Sequence, residues 1–303
     1  MTTELKKIVC SLLFIGVTFW MLDRGAGYLC DRILERIPAS QGEFARMNYG
    51  MLNCRAECVI LGSSRASHHY NVSMLADPLG MTVYNAGMDG RGISYSFGVF
   101  DALCQRYTPK VVILELFYHE LNGELNDRIN VLRPYFSKYS HIYALAEQIN
   151  GSTERIKSYW KFFRYNSALL RMFDSFIRLS DSRFGFVPLE DNKLGSTLKI
   201  RQDTQNYPID SIAFATLNTM CKLASARGIR LIGLISPELN IHQTPSPVIS
   251  LFEDHGFPIF DNSNAAFFME HPELFNDHVH LNRHGADLYT QYFLQQLRDL
   301  DSI

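Results

Sequence analysis

Charge of one sign is what this sequence most clearly lacks. Lysine and arginine number 29 against 31 aspartates and glutamates, a formal net charge of -2, so no global basic surface exists to track a nucleic-acid backbone and no nucleic-acid partner is expected. Cysteine is scarce as well, at six residues, and no Cys-x-x-Cys pair occurs, which removes the thioredoxin-like and zinc-ribbon classes. Cys10 sits in an apolar run, and the remaining five (Cys30, Cys54, Cys58, Cys104, Cys221) cannot all pair internally. Cys54 and Cys58 are close enough for a small bridge in an oxidising compartment, or are simply small buried hydrophobes. Glycine-rich phosphate loops are missing: Gly90-Arg91-Gly92 is followed by neither a Gly-Lys-Ser/Thr nor a dinucleotide fingerprint, so no nucleotide cofactor is implied. Internal repeats and low-complexity stretches are absent too.

Long hydrophobic runs are scarce with one exception. Lys6 and Lys7 precede an uninterrupted apolar run from Ile8 to Leu22, closed by Asp23 and Arg24. The run falls somewhat short of the ~20 residues of a comfortable transmembrane helix. No small-x-small cleavage site succeeds it, so residues 1–30 are expected to form an uncleaved membrane anchor with a cytoplasmic N-terminus. The competing readings are a cleaved signal peptide and a buried core helix.

Beyond residue 50 the chain alternates between short apolar runs and helical spacing. Cys58–Leu61 stops at Gly62-Ser63-Ser64, Thr82–Asn85 stops before Gly87, and Val111–Leu116 forms a third run; all three have the unbroken apolar character of strands buried on both faces. Ile93, Phe97, Phe100 and Leu103 recur at helical spacing between the second and third. Ile212–Ala226 reads as helix, Ile229–Ile235 and Phe257–Phe260 as strands, and Gly285–Leu297 as a terminal helix. The alternation predicts an α/β fold, a three-layer α/β/α sandwich around a mostly parallel sheet within residues 50–303, with active loops at the carboxyl ends of the strands. Residues 120–207 break the rhythm with aromatic and basic residues and are expected to form an inserted helical cap. Ile156, Trp160, Phe163, Leu170, Phe173 and Ile177 approximate one helical face there. An amphipathic helix packed on the sheet accounts for them, and a lid or a surface beside the membrane is the sharper alternative.

Two short motifs carry chemistry. Ser64 comes directly after the first strand, and a serine hydroxyl becomes a nucleophile only when a base accepts its proton. Asp277-His278-Val279-His280-Leu281-Asn282 offers that base just before the terminal helix: Asp277 lies three residues before His280, so a tight turn can let the carboxylate orient the imidazole while its other nitrogen faces Ser64. Each residue has a plainer role available, Ser64 as a helix cap, His280 as a core histidine and Asp277 as a turn residue. His68, His69, His278 and His284 suggest a metal site, but no second ligand-spaced segment joins them, and none is expected.

Gly62-Ser63-Ser64, Asn85-Ala86-Gly87 and Asp277-x-x-His280, in that order, resemble the conserved blocks of the SGNH, or GDSL, hydrolases. The resemblance covers about residues 57 to 297 in outline and implies a flavodoxin-like sheet, an acyl-serine intermediate on Ser64, His280 as general base, Asp277 as its orienting partner, and the amides of Ser64 and Gly87 as oxyanion donors. It implies no cofactor. Ser63 stands where the family has Asp, and no Asn aligns with the one that supplies the family's third oxyanion donor at the end of the third strand, which here reads Leu114-Glu115-Leu116-Phe117-Tyr118-His119-Glu120-Leu121-Asn122. Losing such a donor costs ~3 kcal/mol of transition-state stabilisation. His119 or Asn122 is therefore expected to substitute, or activity to be weak, while Arg65 and Asn85 are further candidates for substrate contact, Arg65 having a structural ion pair as its alternative. An anchor joined to such a domain resembles the extracytoplasmic partners of polytopic membrane-bound O-acyltransferases. That implies transfer of an acyl group to carbohydrate, with carbohydrate esterase action and an inactive glycan-binding scaffold as the alternatives.

Overall fold

The computed structural model describes residues 2–38, 42–177, 184–190, 197–242 and 246–299. Seven strands are present among them: β1 (Cys58–Leu61), β2 (Val83–Asn85), β3 (Val111–Glu115), β4 (Arg201–Asp203), β5 (Arg230–Ile235), β6 (Asn240–His242) and β7 (Ile259–Asp261). Five form one sheet in the order β2-β1-β3-β5-β7, every pairing parallel, and β4 pairs with β6 in a small parallel sheet of its own. This is the flavodoxin-like strand order, in which the direction of winding reverses beside β1.

Strand periodicity sorts the core into two halves. Val59, Leu61, Val112, Leu114, Leu231 and Ile235 pack with the helices Gly42–Leu52, Ile93–Arg106 and Ser211–Ala226. Their alternating neighbours Cys58, Ile60, Val111, Ile113, Ile232 and Leu234 pack with Val72–Leu79 and the C-terminal helix Arg283–Asp299. Side chains that point alternately up and down thus bury both faces of the sheet, giving three layers. The expected α/β/α sandwich is the observed one. Strand ends differ from the sequence reading by a residue or two, most at β7, which begins at Ile259 rather than Phe257. All six cysteines are free; Cys54 and Cys58 are buried without bridging, and burial pushes the Cys58 thiol up to about 12.

The N-terminal helix runs from Thr3 to Leu34, well beyond the apolar run, and is long and apolar enough to cross a membrane, with an 18-residue window of mean hydropathy 1.8 that is 0% buried. Its extension has a packing cause. Asp23, Gly27, Cys30 and Leu34 recur at helical spacing and form its buried face. Asp23 accepts hydrogen bonds from the amides of Lys161 (2.9 Å) and Phe162 (3.0 Å), and Tyr165 donates to Asp31.

The stretch after β3 is helical in pieces. A 3-10 turn (Glu120–Asn122), a longer 3-10 segment (Asn126–Tyr135), and the helices Ser140–Asn150, Thr153–Tyr159 and Leu169–Asp174 succeed one another, with a further 3-10 turn at Phe162–Tyr165. The single amphipathic face expected from Ile156 to Ile177 is therefore corrected: the helix stops at Trp160, whose backbone is extended, and Ile156, Leu170, Phe173 and Ile177 are exposed instead of packed on the sheet. The chain breaks where Asp23 captures the two amides of Lys161 and Phe162, a tertiary contact that periodicity does not register.

Candidate active site

β1 delivers Ser64 through a turn that only glycine can make. Gly62 has φ +142, and a Cβ there would lie 2.5 Å from the Glu115 carbonyl oxygen. The chain then enters the short helix Ser64–His69, so Ser64 is its first residue, half-buried, with an amide that has no intrahelical partner.

The loop before the C-terminal helix brings the base. Phe275 bridges Leu281, and the Asp277 carboxylate accepts from the amides of Val279 and His280, both at 2.9 Å, closing a tight turn. In that turn His280 Nδ1 lies 3.0 and 2.9 Å from the two Asp277 oxygens, while Nε2 lies 2.7 Å from Ser64 Oγ. A carboxylate can only accept, so Nδ1 carries the proton and the Nε2 lone pair faces the serine hydroxyl. Burial works against the Asp277 charge, but the hydrogen bonds from His280 and from the amides outweigh it and hold the carboxyl below its usual range. Leu281 is anchored in turn, its amide donating 3.0 Å to His69 Nε2.

A buried polar network supports this pair; sequence reasoning weighed an ion pair for Arg65 but did not find its partners. Arg65 is fully buried and pairs with Glu115 (3.0 Å) and Glu238 (3.3 Å). Its guanidinium also donates to Ser236 Oγ, and Tyr70 donates to Glu115. Because His69 Nε2 accepts from Leu281, its Nδ1–H donates to Ser236 Oγ at 2.7 Å, and desolvation together with nearby Arg65 holds His69 neutral, well below the ordinary histidine range. Arg65 is accordingly a structural ion pair under the nucleophile and not a substrate contact. The one signal in the sequence was Glu115, an acid closing an otherwise apolar buried strand.

Other expected residues are placed differently. Gly87 is required by close approach, since a Cβ would lie 2.6 Å from both Ala66 Cβ and Ser67 N. Its amide donates 2.9 Å to Asn85 Oδ1, so it is engaged within its own turn and does not stand open as an oxyanion donor. Asn85 is wholly buried and donates to the Ala66 carbonyl, which makes it a brace for the nucleophile helix and removes it from substrate contact. Asn122 Oδ1 accepts from the Glu124 amide, and His119 Nε2 stands 3.1 Å from Asp203 and 3.0 Å from His242. Replacement of the missing third donor by His119 is thereby corrected: its ring nitrogen is committed to that cluster. Among the other candidate histidines, His68 has its two nitrogens on Val187 O and Asp89, and both nitrogens of His69 are spent on Ser236 and Leu281.

A cavity of about 250 Å³ opens beside the site, lined among others by Phe117, His119, Glu120, Tyr207, Glu238 and His242 but not by Ser64 or His280. Burial pushes the Glu120 carboxyl up to about 8, against the amide hydrogen bonds of Phe117 and Ile93.

A doubly wound parallel α/β domain with Ser64, His280 and Asp277 aligned at one sheet edge is the class these observations define. No protein-family model matches the chain, and no curated protein matches it. Among solved structures it is similar in outline to a candidate acylhydrolase from Bacteroides fragilis, at 13% identity and TM-score 0.40 over 80% of this chain and 86% of that one. It is also similar to a gut microbial diltiazem-metabolizing enzyme, at 14% identity and TM-score 0.31 over 78% of this chain and 46% of that one.

Proposed function

We propose that the chain is a serine-dependent acyl hydrolase or transferase of the SGNH type, held at a membrane by its N-terminal helix with the α/β domain on the extracytoplasmic side. The observation that carries the reading is the 2.7 Å contact of Ser64 Oγ with His280 Nε2, on an imidazole whose other nitrogen is held by Asp277. In the reaction Ser64 Oγ attacks the carbonyl carbon of an ester and its proton passes to His280 Nε2. The tetrahedral centre collapses, the ester C–O bond breaks, and the departing alkoxide takes that proton. Water or a sugar hydroxyl then attacks the acyl-serine, with His280 again the base, returning Ser64 and releasing acid or acylated sugar. Asp277 stabilises the imidazolium at each stage.

The substrate class we assign is O-acyl carbohydrate, with a polytopic membrane-bound O-acyltransferase as partner, by resemblance to the anchored SGNH partners of such enzymes. A second reading, an inactive domain that binds glycan or scaffolds that complex, is favoured by one feature, the engagement of the Gly87 amide by Asn85. Hydrolysis of p-nitrophenyl acetate with and without a polysaccharide acceptor tests the assignment. Acetate release that falls as acylated glycan accumulates supports transfer; release indifferent to every acceptor supports an esterase; no release from the intact chain supports the scaffold.

A further inference from the structure

We propose that His119, Asp203 and His242 form a tetrahedral zinc site, separate from the serine chemistry. The three ligand atoms face one another: His119 Nε2 to His242 Nδ1 is 3.0 Å, His119 Nε2 to Asp203 Oδ2 is 3.1 Å, and His242 Nδ1 to Asp203 Oδ2 is 3.3 Å. Ligands ~2.0 to 2.1 Å from one tetrahedral ion stand ~3.3 Å apart, close to this triangle. Proton accounting points the same way. Glu238 lies 2.9 Å from His242 Nε2 and can only accept, so a neutral His242 carries its proton there and turns a bare Nδ1 lone pair toward Asp203. Two acceptors then face each other at 3.3 Å, with the His119 ring nitrogen near both and the Tyr207 hydroxyl 3.4 Å from Asp203 Oδ2, an arrangement that a cation satisfies.

The surroundings fit a built site. Glu238 on the far nitrogen of His242 is the carboxylate that metal-bound histidines recruit to fix tautomer and ring orientation. Both rings are held by stacking, His242 on Tyr118 with centroids 4.0 Å apart and His119 on Tyr207 at 3.6 Å. Asp203 Oδ1 accepts from the Gln205 amide while Oδ2, which also accepts from the Tyr207 hydroxyl at 3.4 Å, faces the cluster, and Asp203 stands directly opposite His242 in the β4–β6 register. Two imidazoles and one carboxylate suit zinc, and the fourth position adjoins the cavity lined by His119 and His242, where water or a ligand oxygen can bind. The ion would staple β4 and β6 to the turn after β3, and through Glu238 and Arg65 to the base of the nucleophile helix.

The test uses the full chain in detergent, stripped with a chelator and titrated with zinc against a chromophoric competitor. One equivalent should bind, with affinity falling at least ~100-fold in His119→Ala and in His242→Phe and ~10- to 100-fold in Glu238→Gln. Cobalt loading of the unaltered chain should give the intense visible bands of a tetrahedral centre, a readout that no variant's folding can confuse. Failure of the unaltered chain to hold zinc overturns the site, as does zinc binding that survives both ligand substitutions or cobalt that keeps the spectrum of the hydrated ion.

A different observation carries a second inference, resting on the reading of the N-terminal helix as a membrane span. We infer that the segment 156–177 lies in the lipid headgroup boundary and sets the domain's orientation. Phe19, within the apolar window, meets Trp160 with ring centroids 5.7 Å apart, and Arg24 lies over both Trp20 and Tyr159. Aromatic rings and arginine gathered where a span leaves the hydrocarbon form an interfacial belt. Ile156, Tyr159 and Phe162 continue it at 69%, 57% and 41% exposure, and Leu170, Phe173 and Ile177 extend it, interleaved with Lys157, Lys161 and Arg171. Trp20 and Trp160 are the only two tryptophans, which makes the test direct. In vesicles of brominated phosphatidylcholine, Trp20→Phe should leave Trp160 fluorescence quenched, most strongly by bromines near the headgroup. Quenching of Trp20 in the Trp160→Phe chain with none of Trp160 overturns the inference. Quenching of neither overturns the membrane span on which it rests.

Discussion

Asp277 and Glu120 show how far single residues are set by their surroundings. The Asp277 carboxylate accepts two backbone amides as well as the imidazole, so replacing it with Asn keeps the turn largely bonded but places an amide opposite His280 Nδ1. The tautomer that presents a lone pair to Ser64 is then lost, and p-nitrophenyl acetate turnover should fall by roughly 10⁴-fold. Unchanged turnover would make Asp277 a turn residue only. Glu120 titrates in the opposite sense. Its carboxyl is pushed up to about 8 in the folded chain, above the value of an unfolded glutamate, so the folded state binds the extra proton between the two values. Stability is highest below that window and declines as pH rises through it. Melting of the intact protein against Glu120→Gln from pH 5 to pH 8 should show the difference shifting in favour of the Gln variant at higher pH; parallel curves would contradict the shifted carboxyl.

At the scale of elements, β1, β2, β3 and β5 were legible because each is buried almost throughout and therefore reads as an apolar run bounded by a turn, whereas β4 and β6, short, polar and partly exposed, left no such mark. Ser64 was legible because it follows such a strand, and Asp277 and His280 because their three-residue spacing falls just before the terminal helix. The network beneath them was not, since Arg65, Glu115, Ser236 and Glu238 come from three separate strand ends, and only the sheet order β1-β3-β5 puts them in contact. The same holds for His119, Asp203 and His242, whose spacing matches no ligand motif. Arg65→Leu would leave Glu115 and Glu238 buried without their cation. The loss should be about 3 to 5 kcal/mol, read as a large drop in melting temperature, whereas a surface ion pair such as Arg155 with Glu147 should cost little when broken. The broken amphipathic face between Ile156 and Ile177 has the complementary cause: apolar spacing records which residues avoid water but not what covers them.

The whole molecule joins a polar-edged α/β domain to one apolar helix, and the extension of that helix to Leu34 couples the two through Asp23 and Asp31. A reporter fused after Ile303 should report an extracytoplasmic C-terminus, and the protein should stay with membranes after alkaline washing. A soluble cytoplasmic product would remove both the anchor and the carbohydrate assignment. The central claim, a serine activated by His280, is tested most directly by a fluorophosphonate probe, whose phosphorus mimics the tetrahedral acyl centre. Covalent labelling of the intact chain at Ser64 is the expected result, with none in Ser64→Ala. No labelling of the intact, folded protein, or equal labelling of the alanine variant, would contradict it.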